Sequence, residues 1–491
     1  MTSITHRLAK HAIETPFEAI PSVNLDAARL LMLDTLAVAW AGADAPGCSE
    51  THALLAEEGG RSDATVWAYG GSLPAASAAF INSMTAAAIE YDSIGLGVAV
   101  HAYVAVLPAV LAMAEWQRAS GRDFLAALVL GCDITHRFAE SAAYPNRGFH
   151  YTAAMGGFGA AAACARLLGL SVGQTQHALG LAFLQASGTQ QANIQPSLSK
   201  RMLAAFAARA GVQSALLAQR GITAPTDVIE GKFGFHALYQ PIDAEALMHA
   251  LGKRFDNDQA SIKLYPSCGC NHTAIDATLQ LVKQHDLNPD DVLSIEATIT
   301  PYMERIVGGD YDPSGDAQVA AQFNLRYSIA CALVRRRLGL AEIQPAAARD
   351  PAIAAHLGKI TVTVDETQTG TRGPVVLRMR TRSHGEIFCR IEDVAGSTGR
   401  PIAPEAAEEK FRECFTVSRY PLSDARYVQL KARVQGVHQA ADMHIRAAAQ
   451  GVFQAQEIMQ HQVHQQQLVV LVHLAQLVRL ERAAHLVVVV H

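Results

Sequence analysis

Between Ser141 and Thr226 the sequence contains no aspartate and no glutamate. Charge is sparse throughout: 17% of the 491 residues are Asp, Glu, Lys or Arg, while 50% are hydrophobic. A chain this apolar can bury a large core, which excludes a disordered protein. A net charge of -5 gives no global attraction to nucleic acid or to an anionic membrane, so neither is expected as a partner. No apolar run is long enough to span a bilayer. The opening MTSITHRLAKHAIE lacks the apolar stretch of a secretory signal. The 8 cysteines are scattered with a single close pair, which argues against a disulfide scaffold and for a reducing compartment. A cytoplasmic location is therefore expected. There is no G-x-S-x-G elbow and no P-loop, which removes the serine-hydrolase and nucleotide-hydrolase readings.

The length implies more than one domain. Up to about residue 264 the pattern is helix after helix. Asn24 is placed to cap a helix reaching Gly42, with Leu25, Ala28, Leu31, Met32, Thr35, Leu36 and Ala39 on one face. Further helices are expected at Ala78–Glu90, Phe124–Phe138, Gly156–Leu168 and Leu203–Arg220. Their Ala and Gly content predicts close helix packing, and Gly169 and Gly221 stand where helices should end. After Tyr265 the period changes. Leu293, Ile295, Ala297 and Ile299 alternate with polar residues, as do Ile360, Val362 and Val364, then Val375, Leu377 and Met379. Ser383–Glu386 reads as the turn of a hairpin into Ile387, Cys389 and Ile391. Gln318–Leu338 reads as one helix between strands. The expected fold class is mainly α with a second α+β domain: a large all-helical domain over 1–264 and a smaller α+β lid over 265–395. A return segment follows over 396–420, then a Gln-, His- and Val-rich tail over 421–491 in which we find no chemistry.

Four segments carry candidate chemistry. In the acid-free stretch, Arg147, Arg166, Lys200, Arg201, Arg209 and Arg220 are six cations without a local anion. Solvated helix surfaces would account for most of them. Lys200 and Arg201 differ, because they end the polar segment GTQQANIQPSLSKR between apolar helices, where a pocket attracting an anion is favoured. Second, KLYPSCGCNHTAID holds Cys268, Cys270 and His272 where the period changes. No partner cluster at zinc spacing exists, so no metal is expected. Third, IEYDSIGLGVAVH brings Glu90, Asp92 and His101 around a glycine loop, raw material for acid–base catalysis. Glu90 and Asp92 as mere helix ends is the plainer reading, weakened because acids oppose the dipole there. Fourth, RGFHYTAAMGGFG places His150 and Tyr151 before a small-residue helix. Its GFGAAA mimics a dinucleotide fingerprint, but no strand precedes it and no acid follows, so the glycines are read as helix packing.

In this order the segments resemble the MmgE/PrpD family over roughly Asn24 to Phe415. The most specific matches are GFHYTAAMGGFGAA, SKRMLAAFAARAG, IEGKFGF and KLYPSCGCNHTAID, supported by DAQVAAQFNLRYSIACAL and RPIAPEAAEEKF. The resemblance implies a site between the two domains, no organic cofactor, no essential metal and a homodimer. It implies Asp92, His101, His150, Lys200 and His272 as catalytic positions, with Glu90 at an acidic family position. Tyr151, Arg201 and Ser267, beside these, are expected substrate contacts. The implied activity is proton abstraction next to a carboxylate of a small di- or tricarboxylate. Dehydration is the first expectation, with epimerisation, decarboxylation or a catalytically silent anion- or partner-binding role as alternatives. The first loop departs from the family, with Ser93 in place of a second acid and Ala102-Tyr103 after His101.

Overall fold

The computed structural model describes residues 3–142, 145–397 and 400–443. Its first region is a layered helical body: α1 (Ile4–Glu14), α2 (Ser22–Gly42), α3 (Ala75–Ala87), α4 (Ala102–Gln117), α5 (Gly121–Glu140), α6 (Tyr151–Leu167), α7 (Val172–Phe183) and α8 (Met202–Gln219). α4 and α6 are buried along almost their whole length, so they form the centre on which the others pack. Close approach is obligatory there. A Cβ on Gly159 would lie 2.1 Å from Thr135 Oγ1 and 2.2 Å from the Gly131 carbonyl oxygen, and one on Gly211 would lie 2.3 Å from Ala160 Cβ. Gly159 of the fingerprint-like run is therefore a packing glycine between α5 and α6. Gly169 and Gly221 end their helices at φ 64° and 84°.

The second region is built on α9 (Gly269–His285), α10 (Leu325–Arg335) and a four-stranded sheet: β1 (Val292–Ile299), β2 (Ile360–Val364), β3 (Val375–Thr381) and β4 (Gly385–Ile391). The order is β2-β1-β3-β4, with β1 parallel to β2 and the other pairs antiparallel. Val375, Leu377 and Met379 face α9 and are fully buried. The hairpin turn uses Gly385 at φ 68°.

Three local expectations change. Asn24 does not cap α2, which begins at Ser22 after Pro21; its side chain donates instead to the Phe255 carbonyl at 2.8 Å and to Asn257 Oδ1 at 2.9 Å. Leu293 is exposed because a register shift between Val292 and Ser294 turns Val292 inward in its place. The helix read at Gln318–Leu338 is two, Ala317–Gln322 and α10, separated where the Asn324 side chain caps Tyr327.

The chain then returns to the helical body. α11 (Pro404–Val417) packs on α2, and its Lys410 reaches inside to Asp34 Oδ1 at 2.6 Å and the Tyr91 carbonyl at 2.7 Å. Asp424–Gln435, in the segment read as a tail, is a helix that also packs on α2 and buries Tyr427 and Val434. Residues 444–491 of that tail lie outside the described residues. Among the described residues no helix is long and apolar enough to cross a membrane.

Candidate functional site

One cavity lies where the two regions meet. The helical body contributes Glu90, His101, His150, Tyr151, Gln190, Asn193 and Lys200, and the second region contributes Cys268, Cys270, Tyr302, Phe323 and Arg372. Most of these side chains come from the starts of helices. His101, His150 and Cys268 stand immediately before the first residues of α4, α6 and α9, and Lys200 lies in the short turn that runs into α8. The N-terminal ends of long helices carry partial positive charge and free N–H groups, so their convergence favours an anion.

The first loop supplies the acids. Its Ile94–Gly95 pairs antiparallel with Ala260–Ser261, which fixes its path. Arg372 from the second region donates to the Leu96 carbonyl and holds the loop from the other side. Glu90 sits in the left-handed region at φ 53°. Such a conformation costs a non-glycine residue about 1–3 kcal/mol and persists where surrounding contacts impose it. Here the contacts are ionic. Lys200 pairs with Oε1, while Lys263 lies 3.1 Å from Oε2 and donates to the Glu90 carbonyl at 2.9 Å. Burial pulls both lysines below their ordinary range. The Lys263 charge pushes Lys200 further down, whereas Asp92 offsets part of the effect on Lys263.

Asp92 lies behind His101. Its Oδ2 is 2.7 Å from His101 Nδ1, which is also 3.0 Å from the Ser93 carbonyl. Both neighbours are acceptors, so Nδ1 carries the hydrogen and Nε2 is the nitrogen free for chemistry. Burial alone would raise the Asp92 carboxyl. The His101 imidazole and the Lys263 ammonium outweigh it, and the net displacement is downward. The His150 ring lies nearly parallel to that of His101, with centroids 6.4 Å apart. Desolvation, with His101 beside it, drives His150 down to about 3, and its Nδ1 has no hydrogen-bond partner. His150 is thus a neutral imidazole with an unused polar atom in the cavity.

Five expected residues, Glu90, His101, His150, Tyr151 and Lys200, meet around this cavity, with Asp92 directly behind. The others lie off its wall. Arg201 is 1% exposed and turns away, donating to the Pro46 carbonyl and to Gln318 Oε1, the latter at 3.2 Å. His272, on the first turn of α9, packs against the Tyr265 ring at 5.2 Å with Nε2 3.3 Å from the Ser267 carbonyl. Desolvation, reinforced by Lys263, holds it far below the usual imidazole range. Ser267 is fully buried and its hydroxyl is unpartnered. Two charged groups were not singled out from sequence. Lys263 opens the KLYPSC segment but is paired with an acid 173 residues away, and Arg372 sits in a turn before β3 with no local motif. Among the described residues no three His, Cys, Asp or Glu side chains form a metal-holding group.

The chain is similar to a set of curated proteins. It is 28% identical over 385 residues to a cis-aconitate decarboxylase-like protein (oryM) of Aspergillus oryzae, covering 73% of this chain and 79% of that one. Cis-aconitate decarboxylase of Aspergillus terreus is 27% identical over 362 residues, 70% of this chain and 74% of its own. The Homo sapiens cis-aconitate decarboxylase is 26% identical over 356 residues, 69% and 72% of the two chains. Residues 6–245 match the MmgE/PrpD N-terminal domain and residues 265–433 the MmgE/PrpD C-terminal domain. Helical body, α+β region and sequence agree, and the chain belongs to the MmgE/PrpD family.

Proposed function

We propose that this protein is a lyase that decarboxylates a small unsaturated di- or tricarboxylate of the aconitate kind. The observation that carries the reading is the Asp92–His101 pair opening onto a cavity ringed by Lys200, Arg372 and helix N-termini. The relatives that are cis-aconitate decarboxylases support the same class.

The cations and helix ends bind the carboxylates. A carboxylate two carbons from an alkene is released when its C–C bond breaks, carbon dioxide leaves, and the electron pair moves through the alkene. The far alkene carbon then takes a proton. Lys200 and Arg372 stabilise the negative charge that develops on the remaining carboxylates. Protonated His101 delivers the proton from Nε2, with the imidazolium stabilised by Asp92. His150, kept neutral, hydrogen-bonds the substrate and does not compete as the acid. The first expectation from sequence, dehydration, would use the same imidazoles in the opposite sense, beginning with proton removal beside a carboxylate.

The test is a substrate panel in deuterated water: cis-aconitate, 2-methylcitrate, citrate and iminodisuccinate, followed by NMR and carbon dioxide release. Carbon dioxide from cis-aconitate with one deuterium in the product is expected. Water loss from a hydroxy acid without carbon dioxide would replace decarboxylation by dehydration. No turnover and no exchange with any of the four would refute the enzymatic reading.

A further inference from the structure

Of the 8 cysteines, Cys268 alone is not buried. It lines the cavity, and so does Cys270, in the first turn of α9. Immediately before α9, Cys268 lies at the positive end of a 17-residue helix. Its charge environment comes from Cys270, Lys263 and Lys200. A hydrogen bond from the Cys270 thiol, aided by the two ammonium groups, brings the Cys268 thiol down to about 6 against the opposing effect of burial. Cys270 itself is pushed well above the ordinary range by its Cys268 neighbour and by burial, so it stays protonated as the donor. Nothing in the decarboxylation described above uses this thiolate. Yet it shares one cavity with the groups that collect carboxylates, Lys200 and Arg372.

We propose that Cys268 is a covalent-modification site, a nucleophile to which this cavity guides carboxylate-bearing electrophiles, above all α,β-unsaturated dicarboxylates. The proposal rests on the reading of the cavity as a carboxylate site. Sγ bonds to the β-carbon of the alkene, the π pair moves to the α-carbon, and the α-carbon takes one proton. The product is a thioether, with no net oxidation or reduction. An enzyme that releases unsaturated carboxylates would thereby carry its own brake.

The probes are iodoacetate, iodoacetamide and fumarate, applied to the full-length protein and read by intact mass and peptide mapping. With the haloacetyl reagents the S–C bond forms as iodide leaves. Neutral iodoacetamide serves as the uncharged control. Cys268 should be alkylated first, and the iodoacetate-to-iodoacetamide rate ratio should exceed that of glutathione by about tenfold or more, because the cavity concentrates anions. The rate should rise through a pH of about 6, whereas an ordinary thiol activates near about 8.5. Succinate should protect, Arg372→Ala should erase the preference for the anionic reagent, and fumarate should add one equivalent at Cys268. Mapping the wild-type protein keeps the test decisive even if Cys268→Ser fails to fold. Equal labelling of several cysteines, a glutathione-like reagent ratio, or no fumarate adduct at Cys268 would each overturn the proposal. Because the readout is mass and not turnover, selective labelling in a protein that turns over nothing would sink the decarboxylase reading alone.

Discussion

Replacing Asp92 by asparagine keeps shape and removes charge, which isolates what the carboxylate does for His101. The amide oxygen of the new side chain can still accept from His101 Nδ1, and the Ser93 carbonyl, 3.0 Å away, still fixes which nitrogen carries the hydrogen. What disappears is the charge-assisted character of a 2.7 Å contact between two buried groups. A hydrogen bond to a charged partner is worth about 1.5–3 kcal/mol. Carried into the transition state, the same energy lowers kcat by about 10- to 150-fold. KM should change little, because Lys200, Arg372 and the helix ends that bind carboxylates are untouched. Initial rates at saturating and at limiting substrate separate kcat from KM and test this. Stability supplies a second readout. The Asp92 carboxyl is displaced downward in the fold. It therefore contributes stability that is fully present above its unfolded value of about 3.9 and is lost as pH falls below that. Tm should fall more steeply between about pH 5 and 3 in the wild type than in Asp92→Asn. A variant with unchanged kcat, or one whose defect lies wholly in KM, would refute the general-acid assignment.

Lys200→Ala removes an ammonium from the cavity wall but leaves Glu90 paired with Lys263, so the protein should fold and lose kcat/KM by about 100-fold or more; full activity in a folded variant would exclude Lys200 from the site. Arg201→Met should behave in the opposite way: Tm falls as the buried Gln318 amide oxygen and the partly buried Pro46 carbonyl lose their donor, while KM stays within about twofold, measurable by calorimetry and steady-state kinetics. Gly159→Val forces a side chain against Thr135 and the Gly131 carbonyl, and should destabilise by about 1–3 kcal/mol or more, read as a lower urea midpoint.

The architecture was legible because it is written in periodicity. The helical body has long apolar-periodic stretches with small residues, and its boundaries moved by only a few residues from those read. The sheet followed from alternation, apart from Leu293, where a register shift decided which neighbour faced inward. The Gln318–Leu338 stretch misled because Asn324 is tolerated inside an apolar-periodic pattern, yet its side chain is a strong helix cap. The site was legible only in part. His101, His150 and Lys200 stand in polar or glycine-rich segments beside helices, where functional side chains can be recognised. Lys263 and Arg372 could not be recognised in that way, because their significance comes from partners far away in the chain. Arg201 shows the converse. It shares every sequence attribute of Lys200 but is one position on, and in the short turn before α8 one residue is enough to send the next side chain to the other side of the backbone.

The convergence of helix N-termini explains why a site this dispersed in sequence can be specified at all. Each loop needs only to deliver one polar residue at the position where its helix begins, and the small-residue packing of the body sets where those beginnings lie. His101 and His150 are therefore placed by the close α4–α6 contact, as shown by the cost of a Cβ on Gly156, which would lie 2.8 Å from Ala105 Cβ. Cys268 is placed by the second region, through its backbone N–H to the Gln322 carbonyl at 2.9 Å, and Arg372 by the turn whose carbonyl accepts from Thr273 at 2.9 Å. The cavity exists only when both regions are docked. Its two sources of positive charge are consequently separable: weakening the docking should cost the Arg372 contribution before the His101–His150 geometry is disturbed.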